Sequence, residues 1–267
     1  MRKENFENKQ NINVIQGELN MSKKKKIVCC ILSLLLLLLL LLVYYFQFTA
    51  EGYRMSVPYR HSFEQVSDNI YVNKNYSGNI DDVIRLTEDA VKRDNDFFGE
   101  MQCTENTIIV FCDDDKLISK LGGDHDTNTL FFPSTKNYVS ISDEYYDIDI
   151  LAHELTHAEL HTRINKKALK NIPTWFDEGL ATQNDYREQY GPEAWKEKTD
   201  NGKNTIALED MDTSAEFYAG TSEERRFRYL NAKHEVSEWM AIHGQKGMLE
   251  LFDKLNIGED FYIAYKN

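Results

Sequence analysis

The sequence predicts an α+β protein with an N-terminal membrane-spanning helix, then a domain with a mixed β-sheet, then a mostly helical C-terminal part. Three observations lead to this prediction. An uncharged, leucine-rich stretch runs from Ile27 to Phe48. Short β-branched segments alternate with amphipathic helical segments in the middle of the chain. Helical periodicity dominates from Glu223 to Ala264.

The stretch from Ile27 to Phe48 has 22 residues, enough to cross the ~30 Å hydrocarbon layer of a membrane as one helix. Lys23 to Lys26 precede it, so the positive-inside tendency places the N-terminus in the cytoplasm and the residues after Thr49 outside the cell. A cleaved signal peptide is the alternative, but the apolar run is longer than a usual signal core and Phe48-Thr49-Ala50 is a poor cleavage site. We therefore expect a single-pass cell-membrane protein with four parts: a cytoplasmic tail (1–26), a transmembrane helix (27–48), a tether (49–67) and an extracellular domain (68–267).

Charge is distributed unevenly between these parts. The chain has 31 basic and 44 acidic residues, of which seven basic and three acidic lie in the first 26. The remainder therefore holds 24 basic against 41 acidic residues, a net charge of −17. An acidic surface without a basic stripe repels phosphate backbones, so we expect no nucleic-acid partner.

Local signals mark the elements at the start of the domain. Asn79 is a suitable N-cap for an amphipathic helix that starts at Ile80 and ends by Gly99. A loop with two glycines is expected between the second and third strands. The predicted strands are Asn69 to Val72, Thr107 to Cys112 and Tyr138 to Ser142.

The C-terminal part is predicted to contain loop first and then helix. Gln183 to Asp212 is rich in charge and low in apolar periodicity, which indicates a loop with local helix. Two helices follow, from Phe227 to His243 and from Gln245 to Leu255, with a break at Gly244.

One pentapeptide, His153-Glu154-Leu155-Thr156-His157, lies in a run with a helical apolar period. Residues four apart on a helix differ by ~40° in azimuth and ~6 Å in rise, so the two imidazoles can bind one metal ion. Glu154 reaches the open side of the same ion, where it can take a proton from a bound water. This is the arrangement that a zinc hydrolase needs, provided that a third ligand exists.

A second segment can supply that ligand, since Pro173 predicts the start of a helix that carries Glu178 about two turns further on. Together, the pentapeptide and Trp175-Phe176-x-Glu178-Gly179-Leu180-Ala181 resemble the gluzincin clan of zinc metallopeptidases, in particular bacterial thermolysin-like domains with a short helical C-terminal lobe.

The resemblance implies a zincin-like fold that binds one Zn²⁺ per chain through His153, His157 and Glu178. It also implies that the strand from Tyr138 to Ser142 borders the cleft and pairs with the backbone of a substrate. A tyrosine or histidine of the C-terminal lobe would stabilise the oxyanion; Tyr229 is the first choice by similarity of its surroundings.

Several alternatives stay open. His234 and Tyr218 are rivals of Tyr229 for the oxyanion. Asp177 is the nearest rival of Glu178, but it lies ~100° around the helix. His161 follows His157 on the same face, yet it lies ~12 Å along the axis from His153 and cannot share its ion, which favours a surface or supporting role.

One departure from the clan concerns the support of the ligands. Some members carry an aspartate four residues after the third ligand to orient a histidine, and Thr182 occupies that position here. Another carboxylate, carbonyl or water must then hold one of the two imidazoles, and Asp177 is a candidate. A metzincin is excluded by spacing, because Leu160 and Arg163 stand where its glycine and third histidine would be.

The four cysteines divide between the two compartments. Cys29 and Cys30 lie at the cytoplasmic edge of the apolar stretch. Cys103 and Cys112 flank a predicted strand, and an oxidising exterior would permit a disulfide between them.

These features predict a membrane-anchored zinc metallopeptidase that acts on a peptide or protein substrate outside the cytoplasm. Glu154 would serve as the general base and pass its proton to the leaving amine. A different hypothesis is a zinc-binding surface sensor with a peptidase-like fold but no catalysis. A third is an acidic anchor that binds an envelope partner, with a coincidental motif.

Overall fold

The computed structural model describes residues 23–123, 129–133, 136–142 and 146–266, with the segment 129–133 described by its backbone alone. The chain divides into two compact units, and the boundary lies between Tyr53 and Arg54. In the first unit, helix α1 (Lys23–Phe48) contains the apolar stretch. Among the described residues it is the one helix long and apolar enough to span a membrane, with a mean hydropathy of 3.2.

The second unit is α+β, as predicted, with one mixed sheet of five strands in the order β1-β2-β3-β5-β4. Strand β2 runs parallel to β3, and β3 runs parallel to β5, whereas the outer strands β1 and β4 are antiparallel to their neighbours. The strands are β1 (Phe63–Ser67), β2 (Ile70–Asn73), β3 (Thr107–Cys112), β4 (Thr129–Pro133) and β5 (Asn137–Ser142).

Helices surround the sheet and form the C-terminal part. The α-helices after α1 are α2 (Ala50–Met55), α3 (Ile80–Phe98), α4 (Asp115–Leu121), α5 (Ile148–Arg163), α6 (Lys166–Leu169), α7 (Thr174–Ala181), α8 (Pro192–Lys198), α9 (Ser214–Phe217), α10 (Ser222–Asn256) and α11 (Phe261–Lys266). Short 3₁₀ turns occupy Val57–Tyr59, Thr104–Asn106, Thr182–Asn184, Glu188–Tyr190 and Leu208–Met211.

The predicted helix ends are confirmed where a cap specifies them. The Asn79 side chain accepts a hydrogen bond from the amide of Asp81, and Gly99 ends helix α3 with a φ of 87°. Helix α10 is interrupted at Gly244, whose φ of 63° and ψ of −173° are not helical. Between Thr182 and Asp212 the chain forms short helical segments and turns, as expected for a loop with local helix.

The sheet differs from the prediction at both edges. Strand β5 is hydrogen-bonded to β3 on one side and to β4 on the other, so it is not the edge strand that the resemblance implied. Strand β4, in the segment expected to be a loop, is the edge instead. Strand β1 lies in the segment expected to be a tether, so the sheet begins before residue 68.

Cys103 and Cys112 are free and buried. They lie at opposite ends of β3, and its six residues rise by about 17 Å, far beyond the Cα separation of a disulfide. The bridge that the sequence permitted is therefore not formed in this fold.

Two groups of buried side chains make up the core of the second unit. One lies between the sheet and helices α3 and α5, and includes Val83, Ile109, Val139 and Leu155. The other joins α7 to the C-terminal helices, and includes Trp175, Phe176 and Phe252. Helix α5 has residues in both groups, which fixes this helix between the sheet and the C-terminal helices.

Candidate metal centre

Helix α5 presents the pentapeptide because its opposite side is apolar. Leu151, Leu155 and Ala158 are fully or almost fully buried in the core formed with the sheet. The Asp147 side chain caps the first turn by accepting a hydrogen bond of 2.7 Å from the amide of Asp149. His153 and His157 lie on the other side of the helix from these three residues.

Helix α7 brings a carboxylate to the same place. It begins after Pro173 and buries Trp175 and Phe176 in the C-terminal core. Gly179 lets α7 approach α10 closely, since a Cβ at this position would lie 2.5 Å from the carbonyl oxygen of Ala232. The approach holds Glu178 rigidly beside α5, with 5% of its surface exposed.

The three expected ligands meet in space. His153 Nε2 and His157 Nε2 are 3.2 Å apart. Glu178 Oε2 lies 3.4 Å from His153 Nε2 and 3.5 Å from His157 Nε2. Within the described residues, these three form the one group of histidine, cysteine and carboxylate side chains that could hold a metal ion.

The dimensions of this triangle fit a metal ion. Bonds of about 2.0 to 2.1 Å at tetrahedral angles separate the ligand atoms by about 3.3 to 3.4 Å. Glu178 Oε2 is buried and has no hydrogen-bond donor among the residues that the structure describes, although a buried carboxylate oxygen normally has a partner. A cation at the centre would satisfy this oxygen and both imidazole nitrogens.

Asp177 occupies a position that the sequence left open. Its Oδ1 lies 2.6 Å from His157 Nδ1, and its Oδ2 lies 3.5 Å from His161 Nε2. Asp177 is therefore not a rival ligand but a partner of one ligand. His161 contacts the same carboxylate, in keeping with the supporting role that its spacing indicated.

Charge in this cluster is strongly coupled. Burial opposes protonation of His157, but the neighbouring Asp177 and Glu178 outweigh it and hold the pKa of His157 well above its usual value. Burial would raise the pKa of Glu178, yet His157 and His153 lower it to about 2. Glu178 is therefore an anion at neutral pH, which is the form that binds a cation.

Two tyrosines of the C-terminal part face the cluster. The Tyr218 hydroxyl donates a hydrogen bond to Glu178 Oε1. The Tyr229 ring lies 6.1 Å from the His153 ring, measured between centroids. Burial, and then the charge of Glu178, raises the pKa of both hydroxyls, so both remain protonated donors at neutral pH.

The third oxyanion candidate lies elsewhere. His234 stacks on Trp195 with ring centroids 3.5 Å apart, and it lines a separate cavity of about 310 Å³. Tyr218 and Tyr229 therefore remain, and the contact of Tyr218 with Glu178 had no signal in the sequence, because 40 residues separate them along the chain.

Glu154 is half-buried beside this group. Its charge contributes to the raised pKa of the Tyr218 and Tyr229 hydroxyls, after burial and the charge of Glu178. The described part of the chain thus offers a half-buried carboxylate, two hydroxyl donors and a group that could bind a metal ion. Such a combination can bind a polar group and move a proton.

Helices α5 and α3 each carry a buried carboxylate that sequence analysis missed. Glu159 is fully buried and accepts hydrogen bonds of 2.8 Å from the amides of Gln102 and Cys103, and one of 2.5 Å from Arg163. Asp94 of α3 is also fully buried, 3.5 Å from the Thr156 hydroxyl. Burial raises the pKa of Asp94 well above its usual value.

No protein-family model matches the chain, and no curated protein shows a significant sequence match to it. The geometry therefore has to carry the functional argument by itself. It provides a closely packed group of His153, His157 and Glu178 that could bind a metal ion.

Proposed function

We propose that this chain is a membrane-anchored zinc metallopeptidase with a zincin-like domain. The observation that carries the proposal is the triangle of His153, His157 and Glu178, with sides of 3.2 to 3.5 Å. Glu154 follows the first ligand directly, at the position where a general base is needed. Two imidazoles and one carboxylate are a ligand set used by catalytic zinc, which leaves a fourth position for water or substrate.

A bound zinc ion would lower the pKa of a water molecule to about 7 and polarise a peptide carbonyl. Residues of the chain would transfer the proton and stabilise the oxyanion. Glu154 accepts a proton from the attacking water and delivers it to the departing amine nitrogen. Tyr229, with Tyr218 as the alternative, donates a hydrogen bond to the oxyanion of the tetrahedral intermediate.

The substrate is a peptide or protein outside the cytoplasm. Lys25 and Lys26 lie at the start of α1, and the positive-inside tendency favours a cytoplasmic N-terminus. The domain after α1 would then face the exterior, anchored to the cell membrane through this single helix. Its acidic surface supports the expectation that nucleic acid is not a partner.

Substitution of the general base tests the proposal. The full chain, purified in detergent micelles with one equivalent of zinc, is assayed with a library of internally quenched peptides. We expect chelator-sensitive cleavage by the native protein. Glu154→Gln should lower kcat by about 10²- to 10⁴-fold while zinc remains bound, because only proton transfer is lost. Glu88→Gln, on the exposed side of α3, is the matched control and should cleave normally.

The same assay separates the alternatives. Zinc bound with no cleavage of any peptide would favour a non-catalytic zinc-binding module. A chain that binds no zinc would remove the proposal entirely. Cleavage by Glu154→Gln at the rate of the native protein would contradict the role of Glu154 as the general base.

A further inference from the structure

The Asp177 carboxylate lies between two imidazoles from successive turns of α5. His157 Nδ1 is 2.6 Å from Oδ1, and His161 Nε2 is 3.5 Å from Oδ2. The side chains of Asp177 and His161 are 26% and 20% exposed, so water has limited access to both. Each oxygen of this carboxylate is thus directed at a different histidine.

This contact decides which nitrogen of His157 carries the proton. A neutral imidazole that donates from Nδ1 to a carboxylate has its lone pair on Nε2. His157 Nε2 is the atom that faces His153 and Glu178. The hydrogen bond therefore presets the tautomer that can bind a cation.

The other ligand histidine has no such support. His153 Nδ1 is buried and has no hydrogen-bond partner among the described residues. Thr182, which stands where some gluzincins carry an orienting aspartate, donates its hydroxyl to the Glu178 carbonyl oxygen at 2.5 Å instead. Among the described residues, Asp177 is thus the group that orients a ligand imidazole through its Nδ1.

We propose that Asp177 and His161 together act as a positioning unit for His157, with His161 holding the carboxylate that holds the ligand. The row of three histidines at 153, 157 and 161 would then have two ligands and one supporting residue. The inference rests on the proposed zinc site, and it concerns how that site is kept in order.

Zinc affinity, measured on the full chain in micelles by competition with a chromophoric chelator, tests the proposal. Asp177→Ala should weaken binding by about 10- to 100-fold, the range found for residues that support metal ligands. Asp177→Asn keeps an acceptor oxygen and should restore part of the loss. His161→Gln should weaken binding by about threefold, because its contact is longer than an ordinary hydrogen bond.

A double-mutant cycle shows whether His161 acts through Asp177. His161→Gln should have no further effect on zinc affinity in the Asp177→Ala background, since the carboxylate it holds is gone. The visible absorption of bound Co²⁺ provides a second readout and should shift in Asp177→Ala. Asp89→Asn and His61→Gln, both exposed and distant in sequence from the ligands, are the matched controls.

The outcomes are distinguishable from failure of the proposed function. A native chain that binds neither zinc nor Co²⁺ overturns the metal site itself. Tight native binding with unchanged affinity in Asp177→Ala, or in Asp177→Asn should the alanine variant not fold, overturns the positioning role of Asp177. Additive losses in the double variant overturn the indirect role of His161.

Discussion

Glu159 of α5 and Glu178 of α7 are both buried glutamates, but they differ in the hydrogen-bond donors that the fold supplies to them. Glu159 receives two amide donors and the Arg163 guanidinium, so its charge is satisfied within the chain. Glu178 receives the Tyr218 hydroxyl on one oxygen, whereas its other oxygen faces the two imidazoles at 3.4 and 3.5 Å and has no hydrogen-bond donor within the described part of the chain. The carboxylate with a structural role, Glu159, thus has donors from its own chain. A buried carboxylate oxygen without a donor, as in Glu178, instead indicates a binding site for a ligand.

The largest effect on stability is expected from loss of the Glu159 charge. Glu159→Gln should lower the free energy of unfolding by about 3 to 5 kcal/mol, because Arg163 is left as a largely buried charge without its counter-ion. Chemical denaturation of the metal-free protein measures this. Glu105→Gln, exposed on the surface, is the control and should unfold like the native chain. Equal stability of the two variants would contradict the structural role.

The substitution Glu178→Gln tests the glutamate that is proposed to bind the metal ion. Removal of an anionic ligand should weaken zinc binding by roughly 100-fold or more, exceeding the losses known for supporting residues. The metal-free protein should also lose stability at neutral pH, because, despite burial, His157 and His153 hold the pKa of Glu178 below its usual value and so stabilise its charge in the fold. Chelator competition and denaturation of the same preparation measure both quantities. A large loss of apo stability with intact zinc affinity would reverse the assignment of the two glutamates.

Gly179→Ala sharpens the comparison, because it affects the placement of Glu178 and not that of Glu159. The added methyl group would lie 2.5 Å from the Ala232 carbonyl oxygen, so α7 and α10 must separate. We expect a loss of about 1 to 3 kcal/mol in the free energy of unfolding, together with weaker zinc binding. A thermal midpoint and zinc affinity equal to those of the native chain would show that the close approach is not needed.

The last prediction concerns the pH dependence of stability and Asp94, whose carboxylate lies 3.5 Å from the Thr156 hydroxyl of α5. Its folded pKa is raised above the unfolded value by burial, so the native state retains a proton that the unfolded state has released. Stability from this group is full below about pH 4 and falls by up to about 1.4 kcal/mol per pH unit as pH rises towards the folded pKa. Asp94→Asn should flatten this decline, as measured by denaturation between pH 4 and pH 7. An unchanged slope in the variant would mean that Asp94 is ionised in the fold.

Local patterns were sufficient to predict much of this arrangement. Asn79 and Gly99 mark the ends of α3 because caps are local. The spacing of His153 and His157 is equally local, since a helix alone brings positions four apart together. The second-helix position of Glu178 was indicated by Pro173 and by the resemblance of the flanking residues.

Contacts between distant segments could not be predicted in this way. Asp177 was a candidate to hold one of the two imidazoles, but the sequence did not indicate which one; the structure places its Oδ1 2.6 Å from His157 Nδ1, and that depends on how α7 packs against α5. The edge position of strand β4 depends on how the chain returns beside β5, and its composition does not specify that. Tyr218 meets Glu178 only after the C-terminal helices have packed.

The two buried thiols have a practical consequence for work on this protein. Burial raises the pKa of Cys103, and it raises that of Cys112 to about 12, so about one molecule in 10⁵ carries a Cys112 thiolate at pH 7. Oxidants and alkylating agents act on thiolates, so both sulfurs should stay inert while the domain is folded. No bridge joins them in this fold, so a reducing agent has no disulfide between them to break.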